Sequence, residues 1–305
     1  MPLLAIVGPT ASGKSALAVE VARTLGVPAE IVGTDSMQVY RGMDVGTATP
    51  TMEEQHGVPH HMLDVWEPEH AVTVAEFQQQ ARRCIDDVLA RGALPIVVGG
   101  SGLYVSAVLD DLRFPGTDAA IRARLESELD DVGPEAMHAR LANVDPEAAA
   151  QILPTNGRRV VRALEVIELT GGPFVASLPE PQEVYPTVRA GLEIPRDLLD
   201  ERIAHRVDLM WAAGFVDEVR ALAGRGLAET PTAGRALGYQ QVLDFLRGRC
   251  TEEAARQATI DATRKFARRQ QRWFRRDRRI TWLDFDAPAL VDQAAALLLT
   301  NGTRT

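Results

Sequence analysis

Cysteine is almost missing from this chain. Cys84 and Cys250 are the only two, far apart and in no CxxC pair. That excludes a disulfide framework or a cysteine-built metal cluster and reads as two reduced thiols in a cytosolic protein. Long hydrophobic runs are missing too. Stretches such as 94–98 fall far short of the roughly 20 apolar residues that a membrane span needs. No basic leader precedes Met1-Pro2-Leu3-Leu4-Ala5-Ile6-Val7, which runs straight into a glycine motif and reads as a first core strand rather than a signal peptide. Cations are in the minority: 33 Lys and Arg against 42 Asp and Glu leave a net charge of −9, which argues against a histone-like nucleic-acid binder. Repeats and low-complexity tracts are absent as well.

What is present is a chain of 305 residues, 46% hydrophobic, enough for one large domain or two modest ones. Apolar runs at 3–7, 30–34, 95–98, 188–194 and 280–283 read as buried strands. The first three are separated by helical patterns at 14–25 and 74–91, the signature of a parallel sheet with helices on its faces. The alternation then breaks into helical patterns at 118–131, 134–141, 146–152 and 158–169, followed by a Pro-, Gly- and Glu-rich linker over 171–186. Residues 196–248 and 252–276 are again helical. The simplest organisation is an α/β core from 1–113 and 187–305, with a helical insertion over 114–186.

Gly8-Pro9-Thr10-Ala11-Ser12-Gly13-Lys14-Ser15 fits G-x-x-x-x-G-K-[ST] at every fixed position, between an apolar strand and a helix. Glycines let the backbone curl so that N–H groups point inward at phosphate oxygens, and the following helix adds its positive dipole end. Lys14 supplies a point charge and the Ser15 hydroxyl a ligand for Mg²⁺. The fold class is therefore α/β, with a P-loop NTPase-like parallel core. The motif leaves the phosphate compound open, a nucleoside triphosphate being the commonest. Many such enzymes carry an acid after a second core strand. Here 95–98 leads into Gly99-Gly100-Ser101-Gly102-Leu103-Tyr104, with no carboxylate. The acid follows 30–34 instead, as Asp35. Both strand ends belong on the carboxyl edge of the sheet, around one crevice.

Asp35-Ser36-Met37-Gln38-Val39-Tyr40-Arg41-Gly42-Met43-Asp44-Val45-Gly46-Thr47-Ala48 adds to this, with Pro59-His60-His61-Met62-Leu63-Asp64 and the two glycine motifs. Downstream come Val144-Asp145-Pro146, Arg159-Val160-Val161-Arg162-Ala163-Leu164-Glu165-Val166 and Leu237-Gly238-Tyr239-Gln240. In this order, over about residues 4–285, the set closely resembles the IPP transferase family of bacterial tRNA dimethylallyltransferases. The resemblance implies transfer of a dimethylallyl group from dimethylallyl diphosphate to the exocyclic amine of the adenine 3′ of the anticodon, in tRNAs reading codons that begin with U. It implies that residues 8–15 and Arg206 hold the diphosphate, that Asp35 is the general base, and that Asp35, Ser36, Met37 and Gln38 recognise the adenine. Ser101 stands where the family usually has threonine, and keeps a hydroxyl. Arg124, Arg159, Val160, Val161, Arg162 and Ala163 match positions that contact tRNA, and Asn156-Gly157 replaces the usual Asn-Asp. The implied partners are the tRNA anticodon stem-loop, the prenyl diphosphate and Mg²⁺, in a cytoplasmic monomer with no membrane attachment.

Residues 264–279 hold nine cations and one acid in an otherwise acidic chain. Arg264, Arg268, Arg272 and Arg275 share one helical face, suited to a phosphate backbone, while Phe266 and Trp273 share another and read as packing on the core. His60-His61 reads as structural or channel-lining rather than metal-binding, and Trp211 and Phe215 as core. An ATP-dependent kinase, an adenylate prenyltransferase and a P-loop switch or RNA-binding module remain rival readings. None of these rivals explains the Arg-rich stretch and the 35–38 cluster together.

Overall fold

A computed structural model describes residues 2–175 and 180–301. The strands are β1 (Leu3–Val7), β2 (Ala29–Gly33), β3 (His60–His61), β4 (Leu94–Gly99), β5 (Thr187–Glu193) and β6 (Ile280–Asp284). The helices are α1 (Lys14–Thr24), α2 (Val74–Ala90), α3 (Gly102–Leu109), α4 (Ala119–Val144), α5 (Pro146–Gln151), α6 (Gly157–Thr170), α7 (Arg196–Ala212), α8 (Phe215–Ala223), α9 (Tyr239–Leu246), α10 (Glu252–Phe274) and α11 (Leu290–Asn301). Among the described residues no helix is long and apolar enough to cross a membrane. The chain divides into two compact units, residues 1–110 with 183–305, and residues 111–182.

The larger unit is built on one sheet of order β3-β2-β4-β1-β5-β6, every pairing parallel. β1 and β4 are buried throughout, as central parallel strands covered on both faces must be. Alternation sends Leu4 and Ile6 to one face, against Leu17, Val21 and Leu298, and Leu3, Ala5 and Val7 to the other, against Phe77, Ile85, Val108, Phe215 and Tyr239. The register sets Val7 beside Gly99, and Gly33 beside Val98. The segments that follow these three strands therefore emerge side by side at one sheet edge. Three elements escaped the sequence reading: the edge strand β3, only two residues long, and helices α3 and α11.

A charge cluster lies where the chain leaves this unit and returns to it. Arg189 of β5 is 2% exposed in its side chain and pairs with Asp110 at 3.0 Å, Glu183 at 3.1 Å and Asp277 at 3.2 Å. Arg279 closes the cluster on Asp110 and Asp277, each at 2.7 Å.

The smaller unit packs α4, α5 and α6 around Leu125, Met137, Leu141, Val160 and Leu164. The span of α4 holds two helices, as expected from 118–131 and 134–141: Gly133 leaves helical geometry (φ 81°, ψ 166°) just before Pro134 and breaks the run there. Asn156 caps α6 by accepting from the Arg159 N–H, so the helix starts without the family's aspartate. A side chain at Gly157 would meet Leu129 at 2.8 Å. Of the linker expected over 171–186, residues 176–179 lie outside the described residues.

Removing Arg189 from this cluster leaves three carboxylates sharing the single Arg279 guanidinium, with buried Asp110 short of a partner. Arg189→Leu is expected to lower unfolding free energy by about 3 kcal/mol, read from denaturant midpoints; a loss within error would show that the cluster is dispensable.

Candidate active site

The phosphate loop starts where β1 ends. Its curl needs left-handed backbone at Gly13 (φ 98°) and also at Ala11 (φ 63°), where a side chain makes that conformation costly. Gly13 begins α1 with no side-chain cap, so the first-turn N–H groups of that helix keep no side-chain partner. The Pro9 carbonyl sits at the centre of the curl. It accepts from the Ser12 hydroxyl at 2.8 Å and from the Lys14 ammonium at 2.6 Å. Burial pushes the Lys14 ammonium down to about 7, the Arg206 charge pushes the same way, and Asp35 opposes both. Burial likewise lowers Arg206, again opposed by Asp35. Two cations crowd one crevice that holds a single nearby carboxylate.

Asp35 follows β2. One carboxylate oxygen, Oδ1, accepts from the Met37 N–H at 2.8 Å and fixes the turn. Beneath it the Thr34 hydroxyl donates to the Val98 carbonyl at 3.0 Å. Gly99 has to be glycine, because a Cβ there would lie 1.8 Å from Thr34 Oγ1. The Gln38 amide donates to the carbonyls of Thr47 at 3.2 Å and Ala48 at 3.1 Å, and Arg206 donates to Thr47 at 3.3 Å. The loop that carries these carbonyls is held by one side chain. The Glu218 carboxylate accepts from the N–H groups of Asp44, Val45 and Gly46 at 2.9, 2.6 and 3.0 Å, and from the Tyr239 hydroxyl at 2.6 Å.

Three adjoining cavities share these residues. A small one of about 80 Å³ is lined by Thr10, Lys14, Ser15, Asp35, Gln38 and Arg206, with His60, His61 and Gln270. An outer cleft of about 580 Å³ opens on Gly13, Lys14, Ser15, Arg202, His205 and Arg206. A third of about 280 Å³ is lined by Asp35, Ser36, Met37, Ser101 and Arg206, by the apolar Ile203, Val207, Met210, Phe215, Leu237 and Phe266, and by Arg235 and Arg269. The arrangement offers cations and amides for a polyanion, a carboxylate at the junction, and apolar walls beyond.

The structure thus sets Thr10, Ala11, Gly13, Lys14, Ser15, residues 35–38, Ser101 and Arg206 around the three adjoining cavities, while Gly8, Pro9 and Ser12 shape the loop behind them. Arg124 and the 159–163 segment belong to the smaller unit. Val160, Val161 and Ala163 are buried in its core, so the tRNA contacts expected at these positions are unavailable to their side chains. Arg162 is braced on the Pro115 carbonyl at 2.6 Å and on Glu165 at 2.7 Å. Arg124 is exposed and pairs with Glu168, and Arg159 is exposed. On α10 the arginine stripe is partly spent internally: Arg264 donates to the Asp200 carbonyl, Arg268 to that of Arg264, and Arg275 pairs with Glu193. Lys265, Arg269, Arg272 and Arg276 are exposed. Trp273 packs against the core as expected, but Phe266 lines the third cavity, with the Arg269 guanidinium 5.7 Å over its ring.

Sequence reading missed Gln270, Glu218 and Thr47. Gln270 did carry a signal: it is a polar residue in helical register with Phe266 and Trp273, on the face turned inward. Among the described residues no three His, Cys, Asp or Glu side chains group as a metal site.

A model of the IPP transferase family matches residues 38–277. The tRNA dimethylallyltransferase of Thermobifida fusca is 62% identical over 299 residues, covering 97% of this chain and 94% of that protein. A solved full-length tRNA isopentenylpyrophosphate transferase of Bacillus halodurans is 40% identical and superposes with a TM-score of 0.73, covering 98% of this chain and 96% of that one. A eukaryotic dimethylallyltransferase acting on tRNA shares the fold at 24% identity, with a TM-score of 0.78 over 97% of this chain and 77% of its own. Similar along nearly its whole length to such proteins, this chain belongs to the IPP transferase family.

Proposed function

We propose that this chain transfers the dimethylallyl group of dimethylallyl diphosphate to the exocyclic amine of the adenine 3′ of the anticodon, in tRNAs reading codons that begin with U. One observation carries the reading: the Asp35 carboxylate lines the same cavity as the two cations Lys14 and Arg206. In the reaction the allylic carbon–oxygen bond breaks, both electrons leave with the diphosphate, and the adenine nitrogen forms the new bond to carbon. Asp35 takes the proton that the amine must lose. Such a base contributes on the order of 10²–10⁴-fold. Negative charge grows on the leaving oxygens, where the loop amides, Lys14 and Arg206 stand ready. Charge preorganised in this way is usually the largest single catalytic contribution. Ile203, Val207, Met210, Phe215, Leu237 and Phe266 give the prenyl chain an apolar surface.

Ser15 lines both the small cavity and the outer cleft, so its hydroxyl faces the space a diphosphate would occupy. That fits magnesium, which binds through one or two protein oxygens together with substrate phosphates. Bound there, the ion would neutralise charge on the departing diphosphate. The Ser101 hydroxyl shares the third cavity with Asp35 and positions the adenine by hydrogen bonding. The target base has to leave its stack, at a cost of a few kcal/mol that an unpaired anticodon loop keeps low. Exposed cations of α10, with Arg124, Arg159 and Arg162 of the smaller unit, suit the RNA backbone.

Three outcomes test the reading. Purified protein given labelled dimethylallyl diphosphate should label unmodified tRNA and leave AMP unlabelled; label on AMP would move the assignment to a free-nucleotide prenyltransferase. Asp35→Ala should lower turnover at least ~10²-fold while tRNA affinity stays within about twofold, measured by single-turnover kinetics and filter binding. Equal losses in both would count against a base. The third concerns pH. Lys14 is held near 7, so above that value the free site holds it largely neutral, and an arriving anion draws a proton onto it. Diphosphate affinity should fall as pH rises through 7, with net proton uptake seen by calorimetry in buffers of differing ionisation enthalpy. Lys14→Gln should flatten the pH profile and remove most of that uptake; a profile identical to the parent's would refute the role of Lys14.

A further inference from the structure

Gln270 stands among the cations of α10, yet it is only 5% exposed and lines the small cavity beside Lys14, Asp35 and Arg206. Its Oε1 accepts from the Thr10 N–H at 2.8 Å, joining positions 260 apart in the chain. A backbone N–H can only donate, so this bond fixes which end of the side-chain amide faces the loop. The other end, Nε2, lies against Gly100, where a Cβ would come within 2.5 Å of it. Three residues further along α10, Trp273 fills the space beside Gly102, where a Cβ would lie 2.1 Å from the indole. Ser101 sits between these two glycines. One face of α10 therefore seats on the phosphate loop and on both sides of Ser101 at once.

We propose that Gln270 is a positioning residue that sets the curvature of the phosphate loop and the place of Ser101 beside it. This rests on reading residues 8–15 as the diphosphate site. Glutamine suits the task for a chemical reason. Lys or Arg has no acceptor for the Thr10 N–H, and Glu would bring a negative charge to the edge of an anion site.

The test uses the full chain, inorganic diphosphate as probe, and the variants Gln270→Met and Gln270→Glu. Met has similar length and accepts nothing, whereas Glu keeps the acceptor. In Gln270→Met, amide exchange at Thr10 and the diphosphate Kd should each rise about tenfold, the scale of one lost hydrogen bond to a buried backbone donor. The KM for tRNA should move less than about twofold, because the exposed cations of α10 are untouched. Gln270→Glu should restore slow exchange at Thr10, a rescue that a space-filling role would not produce. Gly100→Ala displaces Gln270 from its other side and should reproduce the Met pattern, so the result does not hang on one variant folding. Parent-like exchange and diphosphate affinity in both Gln270→Met and Gly100→Ala would overturn the proposal, as would fast exchange in Gln270→Glu. Lys14→Gln separates the two levels. If it weakens diphosphate binding and Gln270→Met does not, only the role of Gln270 fails. If neither does, the diphosphate reading of the loop fails with it.

Discussion

Two like charges held together at the end of a strand define this site. Lys14 is turned inward onto the Pro9 carbonyl, and Arg206 reaches across from α7 to the Thr47 carbonyl. Burial, with the Arg206 charge added to it, drives the Lys14 ammonium down to about 7. Such crowding costs free energy in the empty protein, and an anion bound between the two relieves it. On the proposed reading the relief would grow as charge moves onto the leaving oxygens, so the interaction would favour the transition state over the bound substrate. The sheet beneath makes the crowding possible. β1 and β4 are buried along their whole length and do not yield to the strain in the loop above them.

The segment after Asp35 has no regular secondary structure as far as Thr47, yet it carries the groups that face the cavity. Its rigidity is supplied from outside. Glu218 on α8 gathers three consecutive amides and the Tyr239 hydroxyl on one carboxylate. A Cβ at Gly46 would sit 2.1 Å from the Phe215 ring, so the loop lies flat against the aromatic packing of α8 and α9. Burial raises the Tyr239 hydroxyl and the Glu218 charge raises it further, which keeps it a donor at any physiological pH. The hydrophobic core thus reaches the loop after Asp35 through one buried hydrogen-bond cluster.

Much of the core was legible because its signals are local. The run Leu3–Val7, the glycine motif and the helix after it are adjacent in sequence, and their period and turn chemistry suffice. Asp35 could be placed at the sheet edge because strand ends in a parallel sheet share that edge. What stayed hidden depends on distant partners. His60 and His61 form a strand only because β2 offers an edge, and two residues show no period. Glu218 is an ordinary surface residue type until the fold brings the amides of Asp44, Val45 and Gly46 to it, and the register of Gln270 marks it as inward-facing without naming Thr10 as its partner. The buried side of 159–163 was misjudged for a related reason. A motif matched as RNA-contacting also supplies the core of its own helix, so Val160, Val161 and Ala163 serve packing while Arg159 faces out. Gly133 with Pro134 read as a helix break, and the backbone does leave helical geometry at Gly133.

The missing acid after β4 and the seating of α10 have one cause. An enzyme that drives water or a hydroxyl onto phosphorus needs a carboxylate near the phosphate end of the crevice. Attack on an allylic carbon needs none there, because the nucleophile approaches the far end of the donor. The turn after β4 is then free to become Gly100-Ser101-Gly102, small enough to admit Gln270 and Trp273 from α10. The carboxylate moves one strand over, to the end of β2, where it opens onto the third cavity beside Ser101 and Met37. On the proposed reading, an acid at the end of β2 suits transfer at carbon, and small residues after β4 leave room for Gln270 and Trp273 of α10 beside Ser101.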